Sequence, residues 1–259
     1  MLLGCIGSDS YGKKISENLA AVNVSPLLET RNDRESSRCG VGIFLKERVL
    51  VPEIRASTML SMDWVNKSMS EINKSEILLV EGYFVIEKFD IVHFLVNSFN
   101  QTNKKVAFTL SATFMIDNFY ATMLEISNKS DLIFCNEEEA YSFAKLRSED
   151  MEEVAIAIHK ILEPRDRILV ITCGALPVCV TKFDYAQSKL NMTVKTEVPH
   201  LSGEQIVDTN GCGDCKKALY FKKNLDLLFK FLINCLIKFS LCWRILVTIH
   251  SRTGYRKML

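Results

Sequence analysis

Between residues 77 and 172, short apolar runs alternate with segments of helical length, and this alternation most constrains the fold. The runs 77–80 (ILLV), 106–110 (VAFTL), 132–135 (LIFC) and 168–172 (ILVIT) are rich in Val, Ile and Leu. They are too short for helices and too continuously apolar for half-exposed strands, so they read as strands buried on both faces. The stretches 87–101, 114–127, 137–145 and 150–162 have helical length and helical spacing of apolar residues. Strand and helix in this order predict an α/β fold with a mainly parallel sheet and helices on both of its faces. Ligands of such sheets bind at the carboxyl ends of the strands.

Residues 36–58 break the pattern and read as two short strands about a polar turn at 46–48, a hairpin or lid outside the main sheet. The chain of 259 residues suits one large domain or two small ones, and its 48% hydrophobic content allows a sizeable core. A net charge of +1 gives no global attraction to nucleic acid or an anionic membrane. Nine irregularly spaced cysteines point to a reducing compartment rather than a disulfide framework. Cys212 and Cys215 form a C-x-x-C, but no second pair at zinc-like spacing accompanies it. The start, MLLGCIGSDS, lacks the basic region and apolar length of a signal peptide, and no uncharged apolar stretch is long enough to span a bilayer. After Cys215 the composition shifts to Lys, Leu, Phe and Ile. Lys230, Lys238 and Arg244 fall on one side of a helix there, which reads as an amphipathic helix packed on a core, with membrane-surface attachment as the alternative.

The string DTNGCGD at 208–214 follows a short apolar run, 204–207, and precedes a helical stretch. Its glycines allow close backbone approach, and a helix start supplies unpaired N–H groups and partial positive charge. Together these favour an anion such as a phosphoryl group in transfer. Asp214 would sit in the first helical turn, placed to accept a proton. The alternative is an N-capping Asp after a glycine turn.

This string closely resembles the D-T-x-G-A-G-D signature of the ribokinase-like (PfkB) carbohydrate and nucleoside kinases. The resemblance implies an anion hole at Gly211, Cys212 and Gly213, a catalytic base at Asp214, and Thr209 with the nucleotide. Cys212 replaces a usual alanine, a small change for a hole built from backbone N–H groups. DLIFCNEEEA resembles the family's N-x-x-E segment, which places Asn136 and Glu139 in the Mg²⁺–phosphate network; a helix cap with an acidic first turn is the plainer reading. VITCGALPVCV resembles the strand and turn beneath the nucleotide, with Thr172 and Gly174 at the ATP phosphates. Within the family the likeness is to adenosine kinases: GCIGSDSYGKKISENLAAVNV resembles their strand, glycine turn and helix. VEGYFVIE and LSATF resemble segments that put Phe84 and Phe114 at the purine, where aromatic faces stack well. Arg48 matches a lid arginine, and Cys39 falls at the lid's G-T-C-like segment, where Ser37-Arg38 replaces Gly-Thr.

The implied fold is a ribokinase-like three-layer sandwich with a small β lid, covering 1–215 as a partial kinase domain, with 36–58 as lid and 216–259 as a divergent helical tail. The implied partners are adenosine and ATP with Mg²⁺, with no nucleic acid or membrane, in a monomer of the cytoplasm, with the nucleus as a second compartment. The sequence also departs from the family. The region that carries the first strand, the ribose-binding Asp and Asn and the first glycine-rich signature has no counterpart before GCIG. Cys215-Lys216-Lys217 replaces Ala-Phe and a glycine-containing helix, and Thr109 stands where adenosine kinases have Asn. A partial or mis-joined gene product, with weak or no activity, is therefore expected. The alternatives are a kinase for a plain sugar, or a non-catalytic relic that binds nucleotide or a partner protein.

Overall fold

The structure, a computed structural model, describes residues 1–44 and 47–196. They divide into two compact units, Met1–Ile72 and the residues from Asn73 onward.

Unit one begins with a β–α–β motif: β1 (Leu2–Gly7), α1 (Ser10–Ala21) and β2 (Pro26–Arg31), with the two strands parallel. The start of α1 is set by Asp9, whose Oδ1 accepts the Gly12 N–H at 2.8 Å. Its Oδ2 accepts the Ser36 N–H at 2.8 Å, which ties the helix start to the loop after β2. A hairpin of β3 (Arg38–Phe44) and β4 (Glu47–Glu53) follows, then a 3₁₀ turn at Ala56–Met59 and α2 (Met62–Ile72). The hairpin expected from 36–58 is present, but its turn is displaced. Glu47 pairs with Phe44 and Arg48 with Ile43, so both belong to β4 rather than to the turn. A ladder needs only backbone groups, and a polar side chain on an exposed strand does not end it.

Unit two carries the sheet. Its order is β10-β9-β8-β7-β6-β5, from β5 (Ile77–Glu81), β6 (Lys105–Thr109), β7 (Leu132–Asn136) and β8 (Ile168–Thr172) to β9 (Val178–Asp184) and β10 (Lys189–Thr196). The strands β5 to β8 are parallel, and β9 and β10 run antiparallel to their neighbours. The sheet is thus mixed and mostly parallel, as the apolar runs predict. The connections are α3 (Gly82–Glu87) and α4 (Phe89–Gln101), then α5 (Thr113–Asn128), then α6 (Glu137–Ala144) and α7 (Met151–Ile161). Successive residues of β7 and β8 are buried, as their continuous apolar runs predict.

Each helix reaches the core through a stripe of the expected period. In α4 the buried residues are Ile91, Val92, Leu95, Val96 and Phe99. The expected helix 87–101 is shorter, because Glu87 ends α3 and Lys88, at φ −141° and ψ 51°, separates the two. A kink at Phe119 interrupts α5, where Asn118 Nδ2 donates to the Phe114 carbonyl at 2.8 Å. At the amino ends of the strands Arg167 is fully buried and donates to the carbonyls of Asn128, Ser130 and Glu163. Beside the sheet, His159 of α7 is buried, stacks on Phe183 at 5.5 Å and shares a 3.1 Å hydrogen bond between Nε2 and Thr181 Oγ1. Among the described residues no helix is long and apolar enough to cross a membrane.

Candidate functional site

Ladder register lines up the carboxyl ends of the parallel strands. Glu81 pairs with Thr109, Thr109 with Phe134, and Asn136 with Thr172. At about 4.8 Å between neighbouring strands, the row from β5 to β8 spans roughly 14 Å. The sequence-predicted residues Asn136, Glu139, Thr172 and Gly174 fall on this edge, and Phe84 and Phe114 follow it in α3 and α5.

The β7–α6 junction is a closed capping box. Asn136 Oδ1 accepts the Glu139 N–H at 2.8 Å, and Glu139 Oε2 accepts the Asn136 N–H at 3.1 Å. Asn136 Nδ2 also donates to Glu139 Oε1 at 2.7 Å. Glu139 is buried, and both its oxygens are oriented by Asn136. The plainer reading of N-x-x-E, a helix cap, is therefore met in full. The first turn of α6 carries Glu137, Glu138 and Glu139, so this helix start suits a cation rather than a phosphate.

One strand over, Thr172 closes β8, buried, with its hydroxyl donating to the Cys135 carbonyl at 3.4 Å. Gly174 opens the turn to β9 at φ +56°, a left-handed conformation that disfavours a side chain. A Cβ built there has nothing within 4 Å, so the backbone of this turn is open to close approach.

At the β5–β6 end the organising residues are ones that the sequence motifs did not point to. Glu81 caps α3, its Oε2 accepting the Tyr83 N–H at 2.9 Å. Its Oε1 accepts the hydroxyl proton of Ser111, and that hydroxyl accepts the Gly82 N–H at 2.9 Å. Ser111 sits at φ +71°. Gly82 is required by crowding: an added Cβ would lie 2.7 Å from the Leu110 carbonyl oxygen. The ring that meets Phe114 is Tyr83, at 5.9 Å between centroids and 53° between planes. Tyr83 and Phe114 are about half exposed, whereas Phe84 is of intermediate burial on the same helix. The sequence cue for Tyr83 is its place beside Phe84 in a Gly-aromatic-Phe stretch.

Cys39 lies in β3 opposite Pro52, partly buried. Burial pushes its thiol up, against a hydrogen bond from the Val51 backbone. Arg48 lies in β4. Thr209, Gly211, Cys212, Gly213 and Asp214, with the run 204–207 and the tail 216–259, lie outside the described residues.

Among the described residues no group of three or more His, Cys, Asp or Glu could hold a metal. Mg²⁺ takes few protein ligands and keeps most of its water, so the single fixed carboxylate of Glu139 fits it through water rather than as part of a protein cage.

The family description "pfkB family carbohydrate kinase" matches residues 1–220. Adenosine kinase 2 of Arabidopsis thaliana is 28% identical over 220 residues, covering 82% of this chain and 62% of the relative. Adenosine kinase of Schizosaccharomyces pombe is 25% identical over 221 residues, covering 82% and 63%. The chain thus spans a little over three fifths of the length of these curated relatives. Among solved structures, Anopheles gambiae adenosine kinase in complex with P1,P4-di(adenosine-5) tetraphosphate superposes with a TM-score of 0.77 at 23% identity, over 97% of this chain and 73% of that one. Adenosine kinase from Schistosoma mansoni in complex with 2-fluoroadenosine gives 0.75 at 20% identity, over 93% and 72%. At these identities the superpositions speak for the fold, the ribokinase-like α/β architecture.

Proposed function

The chain belongs to the pfkB family of carbohydrate kinases, and from that premise we propose that it is built to transfer the γ-phosphoryl group of ATP to the 5′-hydroxyl of adenosine. The observation that carries this reading is the row of strand ends. Its β5–β6 end carries the exposed aromatic pair, which supports an acceptor with a planar ring, and its β7–β8 end carries Asn136 and Thr172 side by side. The relatives named adenosine kinase support the acceptor.

Asp214 takes the proton of the hydroxyl as its oxygen bonds to the γ-phosphorus and the bond to the β–γ bridging oxygen breaks, releasing ADP. The N–H groups of Gly211, Cys212 and Gly213 meet the charge on the transferred group. Thr172, the open turn at Gly174 and Thr209 receive the ATP phosphates. When bound, Mg²⁺ offsets phosphate charge, and Asn136 holds the Glu139 carboxylate in position to accept hydrogen bonds from its water shell. Phe114, with Tyr83 beside it, and Phe84 on the same helix as Tyr83 serve the purine, and Arg48 and Cys39 are assigned to the lid segment. A plain sugar would call for hydrogen-bonding groups where this edge offers rings.

The test is transfer from labelled ATP to adenosine by the purified, cooperatively melting chain, with ribose and fructose as competing acceptors. AMP formation establishes the reading. Preference for ribose or fructose replaces the acceptor. A folded chain that binds ATP and transfers to no acceptor is a nucleotide-binding relic.

A further inference from the structure

We propose that Glu81 and Ser111 are positioning residues, a clamp between the β5–α3 and β6–α5 turns that sets the Tyr83–Phe114 aromatic pair to receive the planar ring of the acceptor. The inference rests on the nucleoside reading above for the identity of that ring, and on the geometry for the clamp.

The two turns interlock at one side-chain oxygen. Ser111 Oγ accepts the Gly82 N–H and gives its own proton to the Glu81 carboxylate, with the Thr109 carbonyl 3.1 Å away as a second acceptor. The other carboxylate oxygen of Glu81 takes the Tyr83 N–H. The chain of hydrogen bonds therefore runs from the residue that begins one ring's helix to the residue that leads into the other's. Ala112, which starts α5, has no side-chain cap of its own, so its approach to the helix is fixed by Ser111 before it. Two costs show that this arrangement is held rather than incidental. Ser111 holds a positive φ of +71°, which a non-glycine residue adopts only at a cost. Gly82 leaves no room for a Cβ against the Leu110 carbonyl. A hydrogen bond between hydroxyl and carboxylate is among the stronger ones and offsets such strain. Two large aromatic side chains, each about half exposed, are left side by side at the ligand edge of the sheet. The two rings are in tilted contact, and together they offer an apolar aromatic surface that suits one flat heterocycle better than the many hydroxyls of a sugar.

The clamp separates backbone strain from hydrogen bonding in a way that can be tested. S111G relieves the positive φ but deletes the hydroxyl, and E81Q keeps the shape but removes the charge. On the full chain, adenosine binding is measured by calorimetry, and nuclear Overhauser effects between the Tyr83 and Phe114 rings are measured without ligand. The expected result is that S111G abolishes the ring-to-ring Overhauser effects and binds adenosine at least tenfold more weakly, while ATP binding is unchanged. E81Q should fall between. In an F114A background S111G should add no further weakening. A ring-to-ring signal that persists in S111G overturns the clamp, whatever the chain binds. Equal weakening of adenosine and ATP by S111G also overturns it, since that is general destabilisation. If the rings separate in S111G while the folded wild type binds no adenosine, the nucleoside reading falls and the clamp stands.

Discussion

Lowering the pH from 7 to 5 should remove about 2 kcal/mol of stability through one side chain, His159. The imidazole is buried between α7 and β9, stacked on Phe183, with Nε2 on the Thr181 hydroxyl. Its Nδ1 has no hydrogen-bond partner among the described residues. Burial, and then the nearby Arg167 guanidinium, push its pKa down from 6.5 to about 4. The sign follows from proton counting. As pH falls, the unfolded chain takes up the proton at about 6.5, while the folded chain refuses it until about 4. Between those values the unfolded state binds more protons, so stability declines through the window and levels off below it. Proton linkage across that gap amounts to about 2 kcal/mol at pH 5 and about 3 kcal/mol at pH 4, against a few tenths at pH 7. Carboxylates contribute their own acid sensitivity, so the assay compares wild type with H159Q by urea denaturation at pH 7 and pH 5. The neutral amide can still reach Thr181 but does not titrate. The expected result is that wild type loses about 2 kcal/mol more than H159Q over that interval. Equal losses in the two proteins would refute the reasoning, since His159 would then accept its proton in place.

Three further outcomes follow from the geometry. G82A should destabilise the chain by about 1–3 kcal/mol, read by urea denaturation, because its methyl would meet the Leu110 carbonyl oxygen at 2.7 Å. N136A opens the capping box and should cost about 1 kcal/mol in a thermal melt; on the proposed reading it also weakens Mg²⁺-dependent nucleotide binding. D214N should abolish phosphoryl transfer while leaving ATP binding by calorimetry largely intact; equal loss of both would count against Asp214 as the base.

The strands β5 to β8 were legible because each holds a continuous apolar run too short for a helix and flanked by segments of helical length. The Asn136–Glu139 pair was legible because a capping box is local, three residues apart. The clamp at Glu81 was not. It joins residues thirty apart, and the positive φ of Ser111 is not signalled by a glycine. For the same reason α3 escaped notice: six residues beginning with Gly make a helix only because Glu81 caps it. The edge strand β10 escaped too, since KLNMTVKT carries too few apolar residues to form a run.

The strand order of unit two has a consequence for how the chain is made. From β5 to β10 every strand pairs with the strand that precedes it in sequence. Each new pairing joins a strand to its sequence neighbour across one connection rather than to a distant segment of the chain. During synthesis the sheet can therefore grow one strand at a time from its amino-terminal edge, each crossover helix docking before the next strand emerges. The newest strand is always the exposed one, and the β9–β10 hairpin covers the β8 edge without waiting for a distant segment, leaving the polar β10 as the edge among the described strands.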